Sequence, residues 1–355
     1  MKGAADWVRD DIRALTAYHV SPAAGFIKLD AMESPWRLPP AVAAELGEVL
    51  AGVAINRYPD PAAPGLKRVL RDSMGIPDRL GVLLGNGSDE ILMMIALAVA
   101  KPGAVMLSVE PSFVMYRMSA AMAGMGYAGV SLKGDFTLDL PAVLEAVRRT
   151  RPAVTWIAYP NNPTGNLFDR RDILAIVEAS PGLVVVDEAY YPFSGGATLL
   201  DEVGRHPNLV LVRTVSKLGL AGLRLGLVTG PDDWLAEFDK LRLPYNVNVL
   251  TDAAARFVLS RRDVLDAQVA SINAERARLE TALDGIGGIR RFPSAANFVL
   301  VRLADGPRAF EGLKARGILI RSFQGSHPLL ADCLRFTVGT PEENGKLIEA
   351  LRQVA

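Results

Sequence analysis

From Leu80 onward the chain alternates short strand-like runs with longer helical patterns, and that rhythm constrains the fold more than any other feature. The runs stand at 82–84, 105–109, 129–132, 154–158, 184–186, 209–212 and 226–229. Helical patterns fill the gaps at 88–100, 113–122, 140–149, 170–179 and 232–241. Several runs are apolar without a polar alternate, as in Val184-Val-Val186, which is how strands buried on both faces read. The pattern predicts an α/β fold: a large lobe with a mostly parallel seven-stranded sheet between helices. A long, charged helical pattern at 263–283 is expected to join it to a smaller α+β lobe. That lobe should hold strands at 297–301 and 334–338 and helices at 307–315 and 342–354. Residues 1–30 are expected to be an arm with a short amphipathic helix at 5–15 and a strand at 27–30. A helix near 41–50 follows. Residues 31–55 are assigned to the small lobe, 56–262 to the large one, and 263–355 to the linking helix and the rest of the small lobe.

Composition narrows the class. Half of the 355 residues are hydrophobic, enough for a sizeable core. Basic and acidic residues balance at 39 each, with no basic stripe, so no nucleic-acid partner is expected. Cys333 is the only cysteine, which excludes an intrachain disulfide and fits a reducing cytoplasm. The first residues carry Asp6, Asp10 and Asp11 and no apolar signal core. The longest apolar run, 91–100, is too short to cross a bilayer. No membrane association is therefore expected. Three histidines and one cysteine offer no metal-ligand spacing. The methionines from Met115 to Met125 fall on a helical pattern and read as core packing.

Three segments carry candidate chemistry. The run 209–212 empties into a polar turn holding Ser216 and Lys217, with Arg224 seven residues on. A lysine leaving a buried strand suits a Schiff base with a carbonyl cofactor; a solvated loop lysine is the alternative. Ser216 and Arg224 suit an oxyanion. Asp187 closes the run 184–186, at the strand end where open α/β sheets bind ligands, and either pairs with a protonated ring nitrogen or caps the next turn. Tyr159-Pro-Asn-Asn-Pro-Thr-Gly165 reads as a rigid turn that presents Asn162 to a ring hydroxyl. Upstream, Gly85-Asn-Gly-Ser-Asp-Glu90 follows a strand and opens a helix. Its Gly87, Ser88 and Asp89 form a candidate phosphate cradle at a helix N-terminus, or Ser88 serves as a plain cap. A dinucleotide fingerprint is excluded, because Glu90 stands where its third glycine belongs.

Taken in order, these segments resemble the fold-type I pyridoxal-phosphate aminotransferases over nearly the whole chain, and among them the histidinol-phosphate aminotransferases. The matching pieces also include Asn56-Arg-Tyr-Pro-Asp60, Pro111-Ser-Phe-Val-Met-Tyr116, Asp187-Glu-Ala-Tyr190, Ala221-Gly-Leu-Arg224 and Cys333-Leu-Arg-Phe-Thr-Val-Gly-Thr340. The resemblance implies pyridoxal 5′-phosphate as cofactor. Lys217 would carry it, Asp187 would meet its ring nitrogen, and Tyr190 and Asn162 would share its ring oxygen. Phe113 would stack on the ring, where relatives often place tyrosine. Gly87, Ser88, Asp89, Ser216 and Arg224 would hold the phosphate, helped by Tyr58 reaching across a homodimer boundary. Arg335 and Arg321 would grip the substrate's anionic groups, and Tyr18 and Tyr245 would flank its variable side chain. The implied reaction transfers the amino group of L-histidinol phosphate to 2-oxoglutarate, giving imidazole acetol-phosphate and L-glutamate in histidine biosynthesis. An aromatic aminotransferase and a threonine-phosphate decarboxylase are alternatives on the same fold. A non-enzymatic sensing module would bring a DNA-binding segment, and none reads as one. One departure bears on the phosphate site. Only six residues separate Lys217 from Arg224, where many relatives have seven, so a tighter turn helped by Gly219 and Gly222 is expected.

Overall fold

The computed structural model describes residues 3–17 and 22–355. Each of the seven expected runs forms a strand: β1 (Gly81–Asn86), β2 (Val105–Glu110), β3 (Gly126–Ser131), β4 (Val154–Ala158), β5 (Leu183–Asp187), β6 (Leu209–Thr214) and β7 (Leu225–Gly230). They make one sheet in the order β1-β7-β6-β5-β4-β2-β3. Only β7 runs against its neighbours; the other pairings are parallel. Every residue of β4, β5 and β6 is buried. Alternate side chains of β5 serve opposite faces: Val184 and Val186 join one apolar cluster, Leu183 and Val185 another. That two-residue period explains why the run has no polar alternate.

A second, antiparallel sheet contains β8 (Arg290–Arg291), β9 (Phe298–Arg302), β10 (Arg321–Ser322) and β11 (Cys333–Thr337), in the order β10-β11-β9-β8. Leu279 and Leu283 of the long helix Arg262–Asp284 pack with Val299, Val301, Leu334 and Phe336 of this sheet. Near the N-terminus, Ile27–Lys28 pairs in parallel with Ile318–Leu319.

Two local expectations need correction. The amphipathic helix at 5–15 is broken into a 3-10 turn, Ala4–Asp6, and one helical turn, Asp10–Arg13. Neither buries a residue, so no packed face offsets the cost of ordering a longer helix. Met118 lines a large cavity, so the methionine cluster is not wholly core. Two helices, Pro64–Met74 and Val249–Leu259, lie outside the expected alternation. Pro64 occupies the first turn of its helix, where a missing N–H costs little.

Candidate active site

The carboxyl ends of β1, β2, β4, β5 and β6 share one rim of the large sheet, and β7 starts there. A cavity of about 220 Å³ opens at this rim. Lys217, Asp187, Tyr190, Asn162 and Phe113 line it, as do Ser88, Asp89, Ser216 and Arg224. Residues from six separate segments thus converge on one space.

At the inner end, Asp187 is 5% exposed. Its Oδ2 accepts a hydrogen bond from the Tyr116 hydroxyl at 2.8 Å, and its Oδ1 accepts from the Ala189 N–H at 3.0 Å. Burial pushes the carboxyl up to about 6, while the Tyr116 and Ala189 donors pull it back down. Tyr116 carried no assigned role in the sequence. It sits one helical step after Phe113 and packs edge-on to it at 5.7 Å, and that i, i+3 spacing is the signal that could have found it.

Lys217 sits on a 3-10 turn, Ser216–Leu218, just past the end of β6. It is half-buried, with Nζ 5.8 Å from the centre of the Tyr190 ring. Burial first, and then the Arg335 cation, lower its amine from the ordinary 10.5 to about 8. Asn162 donates through Nδ2 to the Tyr190 hydroxyl at 3.1 Å and accepts through Oδ1 from Arg335 Nη1 at 2.5 Å. Arg335, from the antiparallel sheet, also donates to the Asp30 carbonyl at 2.8 Å. One amide therefore ties the two sheets together at the cavity.

The outer end is cationic and closely fitted. Gly87, at φ +80°, opens the helix Ser88–Val99. A Cβ on Gly87 would stand 2.7 Å from Arg224 Nη2, and a Cβ on Gly226 would stand 2.7 Å from the Ser88 nitrogen. Only glycines leave this cradle open. Arg224 lies 3.3 Å from the Asp89 carboxylate. The short connection from Lys217 closes through left-handed backbone at Gly219 (φ +86°) and at Arg224 itself (φ +48°). Gly222 takes no part: it lies inside the 3-10 turn Ala221–Leu223 without a positive φ. Ser216 is buried, its Oγ bonded to Thr214 Oγ1 at 2.9 Å.

A larger cavity, about 540 Å³, adjoins the first and shares Met32, Phe113 and Asn162 with it. Arg321 and Arg335 line it. Glu110, Arg117, Tyr127 and His327, unassigned from the sequence, line it too.

Two further expected residues lie outside both cavities of their own chain. Tyr58 is 79% exposed and stacks on Tyr245, with ring centroids 4.4 Å apart. Neither lines the two cavities. Tyr245 therefore does not flank the substrate space of its own chain: its backbone turns left-handed after Pro244 (φ +61°) and its ring meets Tyr58 instead. Tyr18 falls outside the described residues. No group of His, Cys, Asp or Glu among the described residues could hold a metal ion, and no helix is long and apolar enough to cross a membrane.

The sequence matches the model of the family "Aminotransferase class I and II" over residues 24–351. It is 54% identical to a histidinol-phosphate aminotransferase of Chromobacterium violaceum, an alignment covering 98% of this chain and 97% of the relative. It is 53% identical to histidinol-phosphate aminotransferase 2 of Cupriavidus pinatubonensis, over 97% of this chain and 95% of the relative. Among solved structures, it is similar to the histidinol-phosphate aminotransferase of Sinorhizobium meliloti, crystallised in complex with pyridoxal-5′-phosphate. The TM-score is 0.88 at 26% identity, covering 98% of this chain and 97% of that one.

Proposed function

The chain belongs to the class I and II aminotransferases, and on that premise we propose that it transfers the amino group of L-histidinol phosphate to 2-oxoglutarate with pyridoxal phosphate as cofactor. The observation that supports this reading is one cavity lined together by a closely fitted cradle beside Gly87 and Arg224, a buried carboxylate and a half-buried amine. The donor set fits the cofactor. Gly87, Ser88, Ser216 and Arg224 would hold its phosphate, Asp187 its protonated ring nitrogen, and Asn162 and Tyr190 its ring oxygen. Phe113 would cover the ring, a contact of roughly 0.5–1.5 kcal/mol beyond burial. When bound, pyridoxal phosphate supplies an electron sink for the substrate carbanion.

The rest falls to the protein. Lys217, on the turn that lines the cavity, would move a proton between the substrate α-carbon and the cofactor C4′. Arg335 and Arg321 offer paired donors that suit a carboxylate in one half-reaction and a phosphate in the other. The larger cavity gives room for the imidazole side. The expected division also belongs to this proposal: arm 1–30, small domain 31–55 with 263–355, and a cofactor-binding domain 56–262. So does a cytoplasmic homodimer in which the exposed Tyr58 of one copy reaches the cofactor phosphate of the other.

Single-turnover spectra of the holoenzyme test the substrate. The cofactor band should shift fastest with histidinol phosphate, and Lys217→Ala should abolish turnover. A tenfold preference for phenylalanine or threonine phosphate would move the assignment to another branch. A fully active monomer would remove Tyr58 from the site.

A further inference from the structure

We infer that Tyr116 is a positioning residue for Asp187, fixing the carboxylate that faces the ring nitrogen in the proposed reaction. The inference rests on the cofactor reading above. Asp187 sits at the mouth of β5, and its two oxygens take one donor each, the Ala189 N–H and the Tyr116 hydroxyl. A carboxylate with both oxygens engaged is held against rotation. Each oxygen retains a second lone pair, so the group can still accept from the cavity that both side chains line.

Tyr116 is itself held firmly. Its ring is fully buried, lies parallel to Trp156 at 5.1 Å, and meets the edge of Phe113 at 5.7 Å. Trp156 belongs to β4, the neighbour of β5. The hydroxyl is thus aimed by the sheet and not by a loop. Phe113 lines the same cavity and touches the same ring. One aromatic stack therefore sets the plane of the candidate ring wall and the angle of the candidate ring acid.

Tyr116→Phe removes the hydroxyl and keeps the stack. Pyridoxal phosphate is titrated into cofactor-free protein, with circular dichroism as the fold control. The variant should bind roughly tenfold more weakly, the loss of one hydrogen bond to a charged group. The pH midpoint of its bound visible band should shift. In an Asp187→Asn background the same change should cost less than twofold, because the two residues act as a unit. Unchanged affinity and an unmoved midpoint, or an equal loss in both backgrounds, would overturn the assignment. Trp156→Phe loosens the stack but leaves the hydroxyl. Because the stack aims the hydroxyl, Trp156→Phe should weaken binding by less than Tyr116→Phe and only while Asp187 is present; an equal loss in the Asp187→Asn background would overturn the inference, even were Tyr116→Phe poorly folded. A wild-type chain that took up no pyridoxal phosphate would instead sink the reading beneath it.

Discussion

Replacing Lys217 with methionine should make the cofactor-free protein more stable. The amine lies in a cleft where burial and the cations of Arg335 and Arg224 oppose its charge, while Asp89 and Glu33 compensate only in part. Each tenfold change in proton affinity is worth about 1.4 kcal/mol, so the fall from the ordinary 10.5 to about 8 amounts to a penalty of about 3 kcal/mol. The sign follows from linkage. Below pH 8 the folded chain carries the charged amine at full cost. Between pH 8 and 10.5 the folded chain has shed that proton while the unfolded chain still holds it, so stability rises with pH and the penalty fades. Methionine keeps an unbranched stem of similar length and has no charge to desolvate. Urea unfolding of both cofactor-free proteins at pH 7 and pH 10 measures the difference. The variant should gain about 3 kcal/mol at pH 7 and much less at pH 10. A variant less stable than wild type at pH 7, or a gap that does not narrow with pH, would refute the reasoning.

Two other perturbations probe the frame around the site. Arg335→Lys loses the fork that binds Asn162 and the Asp30 carbonyl at once; steady-state kinetics should show KM for both substrates raised at least tenfold. Arg213→Met targets a pair away from the chemistry. Arg213 is 2% exposed and holds Glu188 at 2.7 Å and the Met74 carbonyl at 2.7 Å. Stranding Glu188 should cost about 3–5 kcal/mol in urea unfolding, and a loss below 1 kcal/mol would show the pair to be dispensable.

The large sheet was legible because burial on both faces forces its strands to be uninterrupted apolar runs. Val184-Val-Val186 has no other reading once Asp187 closes it. The site was legible where a residue type is costly without a purpose, as with Lys217 and Asp187. The candidate site was less legible where a side chain's partner lies across the fold. The bond from Tyr116 to Asp187 spans 71 positions, and no local pattern encodes it. The two-residue strands Arg290–Arg291 and Arg321–Ser322 are too short to show any period. Tyr245 lies outside both cavities of its own chain, its ring stacked on Tyr58, a contact between distant positions that no local pattern shows.

The reversed strand β7 has a consequence for how this site tolerates change. Because it doubles back beside β6, the amine and the guanidinium sit near the two ends of the single connection that joins these strands. Covalent chain yokes them together; helix packing does not. A residue gained or lost in that connection re-spaces the pair while Leu211 stays opposite Thr229 and Thr214 stays opposite Gly226. The reach between the amine and the guanidinium is thus adjustable by loop length alone, with the sheet beneath left in register.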